Sequence, residues 1–325
     1  MRNLKGKHLL KTDDWSKEDI EKLMSYTQRL KEEHHLNIPH DDVLEAATFF
    51  MLFFEESTRT RNAFEVGMTQ LGGHAHYLTP KATQIDHGET EKDTIKVLSR
   101  YGEGMGIRRS EPGGHKYIKT LASFSEIPVL NMQCDDYHPT QALADLFTIR
   151  EKFNDNLEDK KFVVSWTYAP NYIRPLSMAN SLALLMPRTG MDVTVAHPPE
   201  FHLKEEVMNK AEKNAEKAGV NFEVSHDMEE AFEGADIVYP KSWGPIAYTE
   251  DTQEGLDLIE EYPEWVCDQN KMDLTNDGIY MHCMPFDRDI EVTSEVADGE
   301  NSVIYDQAEN RLHLQKALMA LTMAE

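Results

Sequence analysis

Residues 47–61 read ATFFMLFFEESTRTR, an apolar run followed, after two glutamates, by hydroxyl and guanidinium side chains. The apolar run has the length of a buried strand, and residues 62–65 have the character of a helix. The first turn of a helix presents unpaired N–H groups and the positive end of the helix dipole, so hydroxyls and arginines there favour a bound phosphate or carboxylate. The alternative is an ordinary N-cap with a basic first turn, although two arginines at this end oppose the helix dipole.

Strand-sized apolar segments alternate with amphipathic segments along the rest of the chain, and the connections are short. This alternation predicts an α/β fold with doubly wound, mostly parallel sheets. We predict strands over 47–54, 74–78, 105–107, 128–131, 162–166, 192–196, 222–224, 236–239 and 279–281. We predict helices over 15–31, after 61, and over 91–101, 138–152, 177–186, 204–218 and 308–323.

The length of the chain predicts two domains, because 325 residues exceed one compact core of ordinary size. The charged segment 154–160 marks the boundary between them. We therefore predict a first domain over 1–150 together with the C-terminal helix 308–325, and a second domain over 151–307.

The formal charge is −25, from 33 basic and 58 acidic residues. Such a body repels nucleic acid and anionic membranes, so we expect neither as a partner. An anion site must then be a local concentration of arginine, for which Arg59 with Arg61, Arg108 with Arg109, and Arg311 are candidates. Acidity that serves only solubility or a salty habitat is the alternative.

Three features that the sequence lacks indicate where in the cell the protein is located. No apolar run reaches the length of a membrane span, and the N-terminal residues lack the apolar core of a signal peptide. The three cysteines, Cys134, Cys267 and Cys283, form neither a disulfide framework nor a zinc-binding spacing. We therefore expect a cytoplasmic protein.

Further polar side chains follow the predicted strands, at the edge where ligands collect in open α/β sheets. His138 and Gln141 lie three residues apart, so they share one side of a helix and could hold a carbonyl oxygen and an amide group. A capping histidine is the alternative, and a buried Cys283 could be purely structural. No nucleophilic triad and no metal-binding motif is apparent, and the absence of a glycine-rich turn after 162–166 disfavours NAD binding.

Three motifs together resemble the signature set of the aspartate/ornithine carbamoyltransferase family: STRTR at 57–61, HPTQ at 138–141 and HCMP at 282–285. The resemblance covers almost the whole chain. It implies two α/β domains joined by a bridging helix, and a homotrimer whose active sites are shared between neighbours. It also implies that carbamoyl phosphate is a substrate and that no metal or organic cofactor is needed.

The resemblance also implies residue roles. Residues 57–60 would bind the phosphate, Arg108 and His138 would polarise the carbamoyl carbonyl, and Gln141 would hold its amide. Gln84 resembles a loop residue donated to the adjacent subunit. The implied carbamoyl-phosphate residues are Ser57, Thr58, Arg59, Thr60, Gln84, Arg108, His138, Gln141, Cys283, Met284 and Arg311. The implied catalytic residues are Arg108, His138, Cys283 and Thr60.

The second substrate is less well defined by the motifs. In ornithine enzymes an acidic residue follows the strand equivalent to 236–239, whereas Lys241 stands near that place here and would repel an ammonium group. This pattern resembles the knotted branch of the family, the N-acetylornithine, N-succinylornithine and YgeW-type carbamoyltransferases, which implies a deep trefoil-type knot in the second domain. The implied second-substrate residues are Asp135, Tyr168, Lys241, Asp287, Arg288 and Glu291.

Asp287 and Glu291 stand where the acetylornithine enzymes carry basic residues. We hypothesise that this acidic pair reshapes recognition of the amine, which makes acetylornithine itself a doubtful acceptor. The predicted activity is transfer of a carbamoyl group from carbamoyl phosphate to the amine of a small amino acid or derivative, either N-acylated and ornithine-like or a diamino acid, with release of phosphate.

Two alternatives stay open. The protein could be an ordinary ornithine carbamoyltransferase, or a non-catalytic homologue that only binds small anions. The second alternative is disfavoured because a phosphate sensor needs no histidine that polarises a carbonyl group.

Overall fold

The computed structural model describes residues 4–170 and 173–324, which fall into two compact units. Unit 1 comprises Met1–Phe147 and Ala308–Glu325, and unit 2 comprises Thr148–Gln307. The first division follows Phe147, and the second follows Gln307.

Nine strands and twelve α-helices form within the described ranges. The strands are β1 (Thr48–Phe53), β2 (His74–Leu78), β3 (Gly104–Arg109), β4 (Val129–Cys134), β5 (Lys161–Ser165), β6 (Asp192–Ala196), β7 (Phe222–Ser225), β8 (Ile237–Pro240) and β9 (Ile279–Tyr280). The helices are α1 (Lys17–His35), α2 (Arg59–Gln70), α3 (Glu91–Leu98), α4 (Gly114–Phe124), α5 (Pro139–Lys152), α6 (Ser177–Leu185), α7 (Glu205–Ala218), α8 (Met228–Phe232), α9 (Thr252–Ile259), α10 (Gln269–Met272), α11 (Ser294–Ala297) and α12 (Ile304–Met323).

Unit 1 contains a parallel four-stranded sheet in the order β2-β1-β3-β4. The central strand β1 is buried along five of its six residues, as expected for a parallel strand that is covered on both faces. The chain leaves β1 in one direction toward β2 and returns on the other side as β3. The point where the strand order reverses therefore lies between β1 and β3, where ligands bind in doubly wound folds.

Unit 2 contains a parallel five-stranded sheet in the order β7-β6-β5-β8-β9. Its central strand β5 is also buried, with Phe162, Val163 and Val164 fully inside the core. The order reverses between β5 and β8, so the segments that follow these two strands adjoin one another at the carboxyl edge. The prediction of two parallel-sheet α/β domains is thus confirmed.

The predicted strands all form, with no end shifted by more than three residues, but five helices were not predicted: α4, α8, α9, α10 and α11. Three of them have only four or five residues, too few for a helical period to show in the sequence. The knot stays a prediction, and two residues of the 167–175 loop, 171 and 172, lie outside the described residues. Within the described part of the chain, no helix is both long and apolar enough to cross a membrane.

Candidate active site

Three of the predicted polar segments lie at the carboxyl edge of the unit 1 sheet. Phe53, at the end of β1, pairs with Arg108 near the end of β3, so the 57–60 segment and Arg108 leave the sheet at the same edge. His138 follows β4 and directly precedes α5. We call the following residues the unit 1 cluster: Ser57, Thr60, Arg108, His138, Gln141 and Arg311.

The phosphate motif forms the start of α2. The Ser57 hydroxyl, one residue before the N-cap Thr58, accepts a hydrogen bond from the backbone N–H of Thr60 at 3.2 Å and so satisfies one donor of the first turn. The first turn of α2 contains no acidic residue, so the positive end of the helix dipole is not neutralised locally. Arg59 is half-buried at the first helical position, and Thr58 precedes it.

The C-terminal helix contributes an arginine to this motif. Arg311, on α12, donates from its guanidinium to the Thr60 hydroxyl at 2.5 Å, and both side chains are buried. Residues 251 positions apart are therefore joined directly. This contact supports the predicted grouping of Arg311 with residues 57–60.

His138 is buried beside two positive charges. Burial, together with the charges of Arg311 and Arg108, holds the pKa of His138 well below its usual range. The ring is therefore neutral near pH 7, with one N–H to donate, and its Nδ1 lies 3.4 Å from the Thr140 hydroxyl. A neutral imidazole among arginines can donate to a carbonyl oxygen that gains negative charge.

Arg108 is oriented by Glu55, a residue that the sequence analysis did not select. The Arg108 Nε lies 3.2 Å from the Glu55 carboxylate. The same carboxylate oxygen accepts from the backbone N–H and the hydroxyl of Ser110, at 3.0 and 2.5 Å. Its position immediately after β1 and before the phosphate motif is the signal that could have identified Glu55.

Gln141 presents a carbonyl oxygen to the site. Its side-chain NH₂ donates to the Asp145 carboxylate at 2.7 Å, and this fixes the amide orientation because a carboxylate only accepts. The other amide atom, Oε1, has no hydrogen-bond partner among the described residues, although the side chain is fully buried. An unsatisfied buried acceptor of this kind suits a ligand that carries an N–H group.

Other arginines named as candidates are used elsewhere in unit 1. The Arg61 guanidinium lies over the ring of Tyr77 at 4.0 Å and pairs with Glu65. Arg109 lies against the rings of Phe54 and Tyr117, at 4.8 and 4.5 Å. Of the pair Arg108 and Arg109, the charge of Arg108 therefore acts on His138, whereas Arg109 packs against aromatic rings. Of the pair Arg59 and Arg61, Arg61 packs against an aromatic ring.

Two predicted ligand residues of unit 1 differ in setting. Gln84 is exposed in the loop between β2 and α3, as a residue offered to another subunit would be. Asp135 instead accepts hydrogen bonds from the backbone N–H groups of Gly113 and His115, both at 2.7 Å, at the start of α4. A Cβ atom at Gly114 would lie 1.9 Å from the Arg109 carbonyl oxygen, so this turn requires glycine.

In unit 2, ionic side chains converge after β8. Glu291 is buried and accepts from the Ser242 hydroxyl at 2.6 Å and from the Asp287 N–H at 2.8 Å. Lys241 and Arg174 each approach its carboxylate to 3.7 Å, and Arg174 pairs with Asp287 at 2.9 Å. We call these five residues the unit 2 cluster.

The cluster keeps Glu291 ionised. Burial alone would raise the pKa of Glu291, but the charges of Lys241, His282 and Arg174 outweigh burial and lower this pKa to about 2. The predicted acidic pair is therefore balanced by two basic side chains within unit 2. Arg174 and Ser242 were missed as members, because nothing in their local sequence indicates that they meet a residue more than forty positions away.

The HCMP segment forms a tight turn after β9. The backbone N–H of Met284 donates to His282 Nδ1 at 2.7 Å, and the His282 ring stacks on Tyr239. Cys283 is 9% exposed. Met284 adopts a left-handed backbone conformation, with φ of 53°, which is uncommon for a residue with a side chain and marks a constrained turn.

The two remaining predicted substrate residues point to other partners. Arg288 forms a bidentate pair with Asp298, at 2.7 and 2.8 Å. The Tyr168 hydroxyl donates to Glu260 at 3.0 Å. Neither contact joins these residues to the unit 2 cluster.

Comparison with known proteins extends these observations to the whole chain. Residues 7–151 match the carbamoyl-P binding domain of aspartate/ornithine carbamoyltransferase, and residues 175–322 match the Asp/Orn binding domain of the same family. An N-acetylornithine carbamoyltransferase from Xanthomonas campestris pv. campestris is 36% identical, with 98% of each chain covered. An ornithine carbamoyltransferase from Halalkalibacterium halodurans is 39% identical, covering 99% of this chain and 97% of that protein.

Solved structures show the same relationship. An acetylornithine transcarbamylase complexed with acetylcitrulline superimposes with a TM-score of 0.90 at 34% identity, over 98% of this chain and 100% of that one. The ornithine carbamoyltransferase from Pyrococcus furiosus gives 0.89 at 36% identity, over 99% of both chains. This protein belongs to the aspartate/ornithine carbamoyltransferase family and is a carbamoyltransferase.

Proposed function

We propose that this protein transfers the carbamoyl group of carbamoyl phosphate to the side-chain amine of an α-N-acylated, ornithine-like amino acid and releases phosphate. The observation that supports carbamoyl phosphate as the donor is that His138 is buried and neutral, near the charges of Arg108 and Arg311. A site for phosphate alone would gain nothing from a neutral histidine and a buried amide oxygen. A carbamoyl group offers a carbonyl oxygen and an NH₂, which match these two partners.

The unit 1 cluster supplies the donor chemistry. The start of α2 and its arginines bind the phosphate, His138 and Arg108 donate to the carbonyl oxygen, and Gln141 Oε1 accepts from the carbamoyl NH₂. The incoming amine attacks the carbonyl carbon, and the new C–N bond places negative charge on the oxygen. Donors already fixed around that oxygen stabilise it, after which the C–O bond to phosphate breaks and the proton of the attacking amine passes to the departing phosphate.

The unit 2 cluster supports an acceptor whose α-nitrogen is uncharged. Lys241 and Arg174 balance Glu291 and Asp287, so the cluster offers no surplus negative charge to an α-ammonium group. Cys283 and the Met284 carbonyl would line the carbamoyl group and the incoming amine, as the resemblance implies. The N-acetylornithine enzymes among the relatives act on a molecule of this class.

An acceptor panel tests the proposal. Purified protein is given carbamoyl phosphate with ornithine, N-acetylornithine, N-succinylornithine or unacylated diamino acids, and the ureido product is measured. We expect the highest kcat/KM with an acylated ornithine. A higher value with free ornithine would identify an ordinary ornithine carbamoyltransferase, and no product with any amine would favour the anion-binding alternative.

We further propose a cytoplasmic homotrimer that shares its active sites through Gln84. The exposure of Gln84 and the three unbridged cysteines support this arrangement. Light scattering gives the subunit number. Refolded mixtures of Gln84→Ala and Arg59→Ala chains should recover part of the wild-type activity, because some sites then combine two intact residues; mixtures as inactive as either variant would contradict sharing.

A further inference from the structure

Two histidines and a glutamate converge in unit 1, and two of them flank Arg311 of the unit 1 cluster in sequence. His35 ends α1, while Glu309 and His313 lie one turn apart on the same face of α12. One donor atom from each side chain lies within 4.8 Å of the other two. Two imidazoles and a carboxylate are a common set of protein ligands for zinc-like ions.

Two of the three ligand separations fit metal ligands better than good hydrogen bonds, and the third, between the two histidines, lies within 4.8 Å. His35 Nε2 and His313 Nε2 each lie 3.4 Å from the same oxygen, Glu309 Oε1. Tetrahedral ligands at the bond lengths of zinc are separated from one another by roughly 3.3–3.5 Å. Good hydrogen bonds between nitrogen and oxygen are shorter than this, at about 2.7–3.2 Å.

His313 is poorly satisfied by the protein alone. Its side chain is buried, and its Nδ1 has no hydrogen-bond partner among the described residues. A zinc-type ion binds the neutral imidazole through the lone pair of one ring nitrogen, here Nε2. In the part of the chain that the structure describes, His313 Nε2 has only the long 3.4 Å contact to Glu309, and a cation bound there would give this atom a strong interaction while Nδ1 keeps the ring proton.

The other two ligands leave the site open to solvent. The side chains of His35 and Glu309 are 57% and 47% exposed, so an ion can enter and a water molecule can complete the coordination. Lys31 and Lys316 act against a bound cation. The charge of Lys31 acts on both Glu309 and His313, and Lys31 also donates to Asn310 at 2.7 Å, while Lys316 contacts His40 at 3.1 Å.

We propose that His35, Glu309 and His313 bind one divalent transition-metal ion of the zinc type, with water as the fourth ligand. The ion joins the end of α1 to the middle of α12, two residues from Arg311. Binding to the folded state alone stabilises it by mass action, so occupancy raises the melting temperature. The sequence could not indicate this site, because His35 lies 274 residues from Glu309.

Metal binding itself is the test, with no activity measurement. Full-length protein without a histidine tag is treated with EDTA, dialysed and titrated with Zn²⁺ by calorimetry. Co²⁺ is added separately to report the coordination by its visible spectrum. We expect one ion per chain at this site, a tetrahedral spectrum without thiolate bands, and a higher melting temperature with Zn²⁺ than with EDTA.

Variants of the two exposed ligands locate the ion. His35→Ala and Glu309→Gln should each weaken binding by more than about tenfold, whereas His34→Ala is the matched control and should keep wild-type affinity. His34 lies next to the site, with its ring centre 5.4 Å from that of His313, but it is not one of the three ligands. Unchanged affinity in both ligand variants, or loss of binding in Cys283→Ser instead, would overturn the proposal.

Discussion

Burial and the charges of two arginines all lower the pKa of one residue of unit 1, His138. The sequence could select this histidine from its motif, but it could not show that the ring is neutral. The protonation state depends on Arg311, which is distant in sequence. This protonation state decides whether the ring acts as a neutral donor or as a fixed positive charge.

A pH profile distinguishes these two roles. Because the pKa of His138 is already well below 6.5, we expect kcat/KM to show no titration of this ring as pH rises through 6.5. His138→Ala should lower kcat by roughly 10²–10³-fold, the effect of losing one donor to an oxyanion. A single-proton limb near pH 6.5 that disappears in His138→Asn would contradict a neutral ring.

Glu291 gives a prediction on acid stability. Its pKa is lowered to about 2 from an ordinary value of 4.5, so its ionised form stabilises the folded state fully above pH 4.5, and this contribution is lost as pH falls toward 2. At pH 7, Glu291→Gln should cost about 3–5 kcal/mol, because it removes the buried carboxylate from Lys241 and leaves buried Arg174 with Asp287 alone.

Urea unfolding followed from pH 7 to pH 3 provides the measurement. The difference between wild type and Glu291→Gln should shrink as the pH falls below 4.5. Asp298→Asn is the control, since Asp298 pairs with Arg288 on the surface and its loss should leave the unfolding midpoint unchanged. A constant difference at every pH would show that Glu291 is not held ionised.

At the scale of elements, the central strands β1 and β5 were predictable because each contains a buried apolar run. Helix α4 was not, because it begins with two glycines that look like a loop. Asp135 shows the same limit. Its position before the HPTQ motif indicated a substrate ligand, whereas its two hydrogen bonds place it at the start of α4.

Replacement of Asp135 separates these roles. If it serves to hold the start of α4, Asp135→Ala should lower stability by about 1–2 kcal/mol, as the loss of a helix cap does, and leave KM for the amine unchanged. Thermal unfolding and steady-state kinetics on the same preparation measure both effects. A large rise in KM without a change in stability would show that Asp135 binds the second substrate.

The contact between α12 and α2 gives a second prediction at this scale. Thr60→Val removes the hydroxyl that accepts from Arg311, and a hydrogen bond to a charged group contributes about 1.5–3 kcal/mol. Carbamoyl phosphate should then bind at least tenfold more weakly by calorimetry. Thr69→Val, on the exposed side of the same helix, should bind normally, and equal weakening in both variants would point to a general loss of α2.

On the scale of the whole molecule, the charge of the chain and the charge of its site have opposite signs. The formal net charge is −25, yet the unit 1 cluster places Arg108 and Arg311 around one buried histidine. Net charge was readable from composition, whereas the positive cluster exists only once the fold brings these arginines together. Salt should therefore act on folding and on binding in opposite directions.

We expect added NaCl to raise the melting temperature at pH 7.5, because screening reduces the repulsion among surplus carboxylates. The gain should be steepest below 0.15 M, where the screening length falls to about 8 Å. Affinity for carbamoyl phosphate should fall over the same range, because its phosphate meets arginines. Near the isoelectric point of about 4.9 the surplus charge is gone, so the thermal effect should vanish there. A melting temperature that is insensitive to salt at pH 7.5 would mean that the acidity is already neutralised by its own basic partners.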